Sequence, residues 1–155
     1  MYHRYAIYFT PAPNSGLAQF GASWLGWDGA GGTLMPNPEI QGLDVAQITQ
    51  TPRKYGFHGT IKPPFFLALG KSADGLTADL MALCAQMAPV TLEGLQLARL
   101  GRFLALVPTG DVTALASLAA QVVEGLDTYR APPSEDELNR RRSANLNAAQ
   151  QAHLE

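Results

Sequence analysis

Cysteine is almost missing from this chain: Cys84 stands alone among 155 residues. One thiol cannot close an intramolecular disulfide, and a cysteine-rich zinc site is excluded with it. Charge of one sign is lacking as well. The 11 Lys and Arg stand against 13 Asp and Glu, a formal net charge of -2, so no global field draws the chain to nucleic acid and any anion site has to be local. No stretch approaches the roughly 18 to 20 uncharged apolar residues of a membrane span. Met1-Tyr2-His3-Arg4 leads into a strand pattern, not into the apolar region of a secretory signal. The cytoplasm is the expected compartment, and no membrane partner is expected. Low-complexity tracts and repeats of solenoid period are also missing. What is there is 46% hydrophobic, enough for a single domain over residues 1–155 with a core of its own. Cys84, on an apolar helix pattern, reads as a buried structural thiol.

Hydrophobic spacing places the elements. Tyr5-Ala6-Ile7-Tyr8-Phe9 is aromatic and β-branched and reads as a first strand. Leu17, Phe20, Trp24 and Leu25 recur at helical spacing after a cap at Asn14 or Ser15. Residues 28–42 are too rich in Gly and Pro for regular structure and read as a surface loop. A strand follows from Gly56 to about Ile61. A second helix, capped by Ser72, carries Leu76, Leu80, Leu83, Cys84 and Met87. Residues 90–100 alternate with a slip at Gly94, and Phe103-Leu104-Ala105-Leu106-Val107 is apolar in both phases, as in a central strand, after a tight turn at Gly101. A third helix, capped by Asp111, presents Leu115, Leu118, Val122, Leu126 and Tyr129. Ser134 and Glu137 form a capping box that opens a polar helical tail over about 134–155. This order predicts an α+β fold, with helices laid on a largely antiparallel sheet.

The stretch that carries chemistry is Arg53-Lys54-Tyr55-Gly56-Phe57-His58-Gly59-Thr60-Ile61-Lys62. On a strand His58, Thr60 and Lys62 share one face, and Phe57, Gly59 and Ile61 the other. An imidazole that titrates near neutral pH, a hydroxyl and an ammonium suit a phosphoryl group: acid/base work from the first, hydrogen bonding and charge neutralisation from the others. Arg53, Lys54 and Tyr55 could add anion contacts. Arg130, followed by Pro132 and Pro133, has a fixed backbone suited to holding a guanidinium on a phosphate. His3 and His153 have no organised partner motif. No His/Asp/Glu spacing resembles a metal-ligand set. Asp136 to Arg140 and Glu137 to Arg141 are helical i,i+4 pairs, so the Arg140–Arg142 run fits an exposed salt-bridged helix at least as well as a phosphate patch.

In order, Arg4-Tyr5-Ala6-Ile7-Tyr8-Phe9, Trp24-Leu25-Gly26, Tyr55-Gly56-Phe57-His58-Gly59-Thr60-Ile61-Lys62-Pro63-Pro64-Phe65, Phe103-Leu104-Ala105-Leu106-Val107-Pro108 and Tyr129-Arg130-Ala131-Pro132-Pro133 resemble the phosphonate-metabolism branch of the two-histidine (LigT-like) phosphoesterases. The likeness runs from Arg4 to about Gln151. It implies a two-lobed α+β fold in which each lobe gives one His-x-Thr/Ser motif to a central cleft. The chain would hold one lobe and part of the second, with the second motif expected past its end. The resemblance further implies action on phosphodiesters without metal or cofactor, on a nucleotide or ribosyl phosphate ester, with an RNA end as a secondary candidate. His58 and Thr60 match the first motif, as catalytic residues; Tyr55, Lys62, Arg53 and Arg130 are the substrate-binding candidates.

In-line displacement at phosphorus needs a base on one side and an acid on the other, and one histidine cannot stand on both. Three accounts follow: a shortened chain, a dimer that places two copies of His58 around one cleft, or a module that binds a phosphate or nucleotide without turning it over. Phosphoesterase and non-catalytic binding module are the two function classes left open.

Overall fold

The computed structural model describes residues 3–101 and 103–143. Strand β1 (Arg4–Phe9) is followed by helix α1 (Gly16–Leu25), whose Ser15 Oγ accepts from the Ala18 amide at 3.2 Å and whose last turn closes on left-handed Gly26, φ 71°. The Gly-rich stretch is more ordered than its composition suggests. β2 (Trp27–Asp28) and β3 (Thr33–Leu34) pair as a short hairpin. Asn37 Nδ2 donates to the carbonyls of Trp24 at 2.9 Å and Ser23 at 3.3 Å, satisfying the end of α1. Two single-turn helices absent from the sequence reading follow, α2 (Val45–Ile48) and α3 (Gln50–Arg53), the first capped by Asp44.

β4 (Gly59–Phe66) pairs antiparallel with β1, and it runs on through Pro63 and Pro64 where a shorter strand was expected. The register explains how. Tyr8 faces Thr60, Ile7 faces Lys62 and Tyr5 faces Phe65, so β4 carries an extra residue at each of two irregularities. β1 is its sole strand partner among the described residues, and an edge is where prolines can sit without losing ladder bonds.

Helix α4 (Ala73–Cys84), capped by Ser72, and helix α5 (Thr113–Gly125), which runs into a 3-10 turn (Asp127–Tyr129), cover one side of this pair. Phe65, Leu76, Val122, Leu126 and Tyr129 form the buried cluster, with Ile7, Ile61, Leu80, Leu83, Met87 and Leu118 packed against it. Cys84 is exposed, contrary to the sequence expectation. Leu76, Leu80, Leu83 and Met87 already fill the inward stripe at spacings of four, three and four, and Cys84 lies one residue, about 100°, past it.

β5 (Gly94–Leu100) and β6 (Phe103–Thr109) form a separate antiparallel hairpin after left-handed Gly101, φ 63°. The molecule is therefore α+β, but with three two-stranded sheets among the described residues and not one continuous sheet. β6, expected to be central, has a single strand neighbour among the described residues. Helix α6 (Glu135–Arg142) opens with the Glu137 amide donating to Ser134 Oγ at 3.2 Å; the rest of the expected tail lies outside the described residues. No helix among the described residues is long and apolar enough to cross a membrane.

Candidate active site around His58

His58 sits at the bend that feeds β4, and three features hold the bend. Gly56 adopts φ 72°, in the left-handed region where glycine is unstrained. A Cβ built there would meet the Gly29 Cα at 3.4 Å, so the β2–β3 turn backs directly onto it. Next in sequence, Phe57 lies so close to α1 that a methyl on Gly21 would collide with its ring.

The side chain is fixed from two directions. His58 Nδ1 lies 2.9 Å from the Gly56 carbonyl oxygen, an acceptor only, so in the neutral ring Nδ1 carries the proton and donates it there. Nε2 is left as the basic nitrogen, with no partner among the described residues. Below the imidazole lies the Tyr8 ring, centroid to centroid 3.9 Å and tilted 31°. Tyr8 faces Thr60 across the β1–β4 ladder, which makes His58 its diagonal neighbour on the same face. Thr60 is exposed. Tyr55 is 62% exposed, with its ring 6.5 Å from that of His58. The geometry thus gathers Tyr55, His58 and Thr60 on one solvent-facing patch, with Tyr8 as the support the sequence reading missed. Strand alternation puts Tyr8 in phase with Arg4 and Ala6, so only the register opposite Thr60 singles it out.

Lys62 does not join them. Its side chain is 3% exposed, and Nζ donates to the Val123 carbonyl at 2.7 Å and to Asp127 Oδ1 at 3.1 Å. The extra residue in β4 between Thr60 and Lys62 breaks the strict alternation that put the three side chains on one face. Arg130 is tied to the same carboxylate, through Nε to Oδ1 at 2.8 Å and a second bond to Oδ2 at 3.1 Å. Lys62, Asp127 and Arg130 thus form a cluster of their own, knitting β4 to the end of α5. The Arg130 hydrogen bonds, and after them that of Lys62, hold the Asp127 carboxyl down at about 2. Asp127 was legible as an i,i+3 partner of Arg130, but nothing in the sequence pointed it at Lys62. Arg53 is likewise engaged internally. Its Nε donates to the Leu25 carbonyl at 2.7 Å and a terminal nitrogen to Ala46 O at 3.2 Å and Asn37 Oδ1 at 3.3 Å, fixing the segment that leads into His58. Its guanidinium therefore organises the approach to the site.

Among the described residues no cluster of three His, Cys, Asp or Glu could hold a metal. A recess of about 590 Å³ on this molecule is lined by residues between Asn37 and Ala46 and does not include His58.

The chain belongs to the family described as a protein of unknown function (DUF1045), whose model matches residues 60–155. It is 39% identical over 155 residues to the ribose 1,5-bisphosphate phosphokinase PhnN of Janthinobacterium sp. (strain Marseille), a match covering 98% of this chain and 34% of that protein. It is 34% identical over 129 residues to the protein of the same name from Laribacter hongkongensis (strain HLHK9), covering 83% of this chain and 31% of that one. The chain thus spans about a third of the length of the curated relatives it matches. No solved structure matches it.

Proposed function

We propose that this chain carries one half of a phosphodiester-processing site of the two-histidine type, acting on a ribosyl or nucleotide phosphate ester in phosphonate metabolism. The observation that carries the proposal is the His58 Nδ1 contact with the Gly56 carbonyl, which leaves Nε2 without a partner among the described residues, two positions before the exposed Thr60. A ring so held keeps one tautomer and one direction, which acid/base transfer at phosphorus requires. His58 gives or takes the proton, the Thr60 hydroxyl donates to a non-bridging oxygen, and the exposed Tyr55 ring flanks the bound group. The relatives' name refers to a ribose bisphosphate, the same chemical class as the substrate proposed here. Arg130 and Lys62 serve the fold around the site in this reading.

The name of the relatives favours a second reading, phosphoryl transfer from a nucleotide. Gly70-Lys71-Ser72 looks like the end of a phosphate-binding loop, which requires a further glycine five residues before Gly70. Phe65 stands there, buried in the core. The Lys71 ammonium lies over the Tyr129 ring, 4.5 Å from its centroid, and Ser72 Oγ accepts from the Gly75 amide at 3.1 Å as the cap of α4. These residues hold a helix in place, so the kinase reading is the weaker one for this third of the longer proteins.

Titrating the chain with inorganic phosphate and with a 2′-nucleotide, while following the ring signals of His58 by NMR, tests the proposal. The expected result is a saturable shift of the His58 signals, weakened in Thr60→Ala. Unmoved His58 signals with both ligands would overturn it.

A further inference from the structure

We infer that the β5–β6 hairpin is the docking surface for polypeptide belonging to the part of the longer relatives that this chain does not match, and that an added strand pairs with the open edge of β6. The argument stands apart from any activity at His58.

A strand buried on both faces is apolar in both phases, and Phe103-Leu104-Ala105-Leu106-Val107 is such a run. Yet β6 has one strand neighbour among the described residues, and exposed apolar side chains stand on both faces of the hairpin. Register puts Leu95, Leu97 and Leu104 on one face and Leu100 and Phe103 on the other. They are 44%, 70%, 58%, 56% and 54% exposed. An isolated two-stranded hairpin is marginal in water, and proteins usually guard a long apolar edge with charge or cover it. β6 carries no charged residue between Phe103 and Thr109.

The edge is also built for pairing. Leu100 pairs with Phe103 with two residues between them, and in hairpins with a connection of that length the flanking pair is the hydrogen-bonded one. The amides of Phe103, Ala105, Val107 and Thr109 therefore face β5, and those of Leu104 and Leu106 face away. Pro108, which has no amide, falls in the outward phase and costs β5 nothing.

Length decides the occupant. A second copy paired edge to edge across a twofold axis would satisfy Leu104 and Leu106 but leave both apolar faces in water. Covering both faces takes a further layer of polypeptide on each side. The relatives supply it: the family match at residues 60–155 contains the hairpin, and about two thirds of each relative's length lies outside its match to this chain.

Hydrogen exchange measured on this chain and on the full-length Janthinobacterium protein tests the inference. In this chain the Leu104 and Leu106 amides should exchange freely. Their counterparts in the long protein should exchange roughly a hundredfold or more slowly, as paired amides in a cooperative unit do. A Leu97→Lys/Leu104→Lys double variant should leave the melting temperature of this chain unchanged, while the matching change lowers that of the long protein. Fast exchange in both proteins would overturn the inference. So would slow exchange in this chain at every concentration, since the edge would already be covered. Protection that appears with concentration alongside a dimer mass would give the surface to a second copy and overturn it equally.

Discussion

Two residues of unequal exposure decide what the Lys62–Asp127–Arg130 cluster is worth. Lys62 is sealed in at 3% exposure, whereas the Asp127 side chain is 47% exposed and keeps Arg130 whatever happens to Lys62. Removing the carboxylate leaves a buried ammonium with only the Val123 carbonyl; breaking a fully buried pair costs about 3–5 kcal/mol, and the half-exposed Asp127 brings the loss below that range. Asp127→Ala should therefore lower the urea midpoint. Lys62→Met removes the buried charge together with its need for a partner and should change stability by about 1 kcal/mol or less, since apolar replacement of buried ions is often neutral. Equal losses from the two would refute this asymmetry. The same carboxylate sets an acid limit. Its folded value of about 2 lies below the ordinary 3.8, so its contribution is complete above about pH 4 and disappears as pH falls through 2. Over that interval the melting temperature of the native chain should fall more steeply than that of Asp127→Asn, as calorimetry across pH would register. Sequence spacing could not anticipate Lys62 as a core residue, because its partner lies 65 positions away and the extra residue in β4 that turns it inward leaves no periodic trace.

At the scale of elements, local rules located most of what the structure contains. Ser15, Ser72 and Ser134 each cap the helix their position suggested, and the slip at Gly94 marks the start of β5. The misses share a cause. α2 and α3 are single turns too short to show a period, and Asn37 and Arg53 order the Gly-rich stretch through side-chain bonds to distant carbonyls. The α1 to Phe57 contact gives a test at this scale. Glycine inside a helix is normally improved by alanine, by about 1 kcal/mol. At Gly21 the sign should reverse, because the added methyl would strike the Phe57 ring and push the His58 bend. Gly16→Ala, with open space around it, should be neutral or slightly stabilising. Denaturant melts of the two variants give the comparison, and a stabilised Gly21→Ala would mean that Phe57 yields freely. Because Phe57 precedes His58, Gly21→Ala should also weaken phosphate binding, whereas Gly16→Ala should leave it unchanged.

For the molecule as a whole, the candidate site was legible in sequence as a motif, and the half-site proposal rests on the chemistry of phosphoryl displacement. Tyr55 and His58 on the segment that leads into β4, and Thr60 on the strand itself, form the patch, and His58 is the one imidazole on it among the described residues. In-line displacement needs a second proton carrier across the phosphorus. A positioned acid or base contributes about 10²- to 10⁴-fold, and an open patch weakens every charge interaction with the phosphoryl group relative to a closed, water-poor cleft. We therefore expect this 155-residue chain, as a monomer, to turn over 2′,3′-cyclic nucleotides and linear phosphodiesters slowly or not at all while still binding phosphate or sulfate weakly at His58. A dimer bringing two copies of His58 to one cleft would behave differently, since its rate per chain would rise with concentration as the dimer forms. Assays over a range of protein concentrations, run beside His58→Ala and with mass measured by light scattering, separate the cases. Rapid turnover that is independent of concentration, arises from a monomer and is abolished by His58→Ala would show that the site is complete within this chain and that the half-site proposal is wrong.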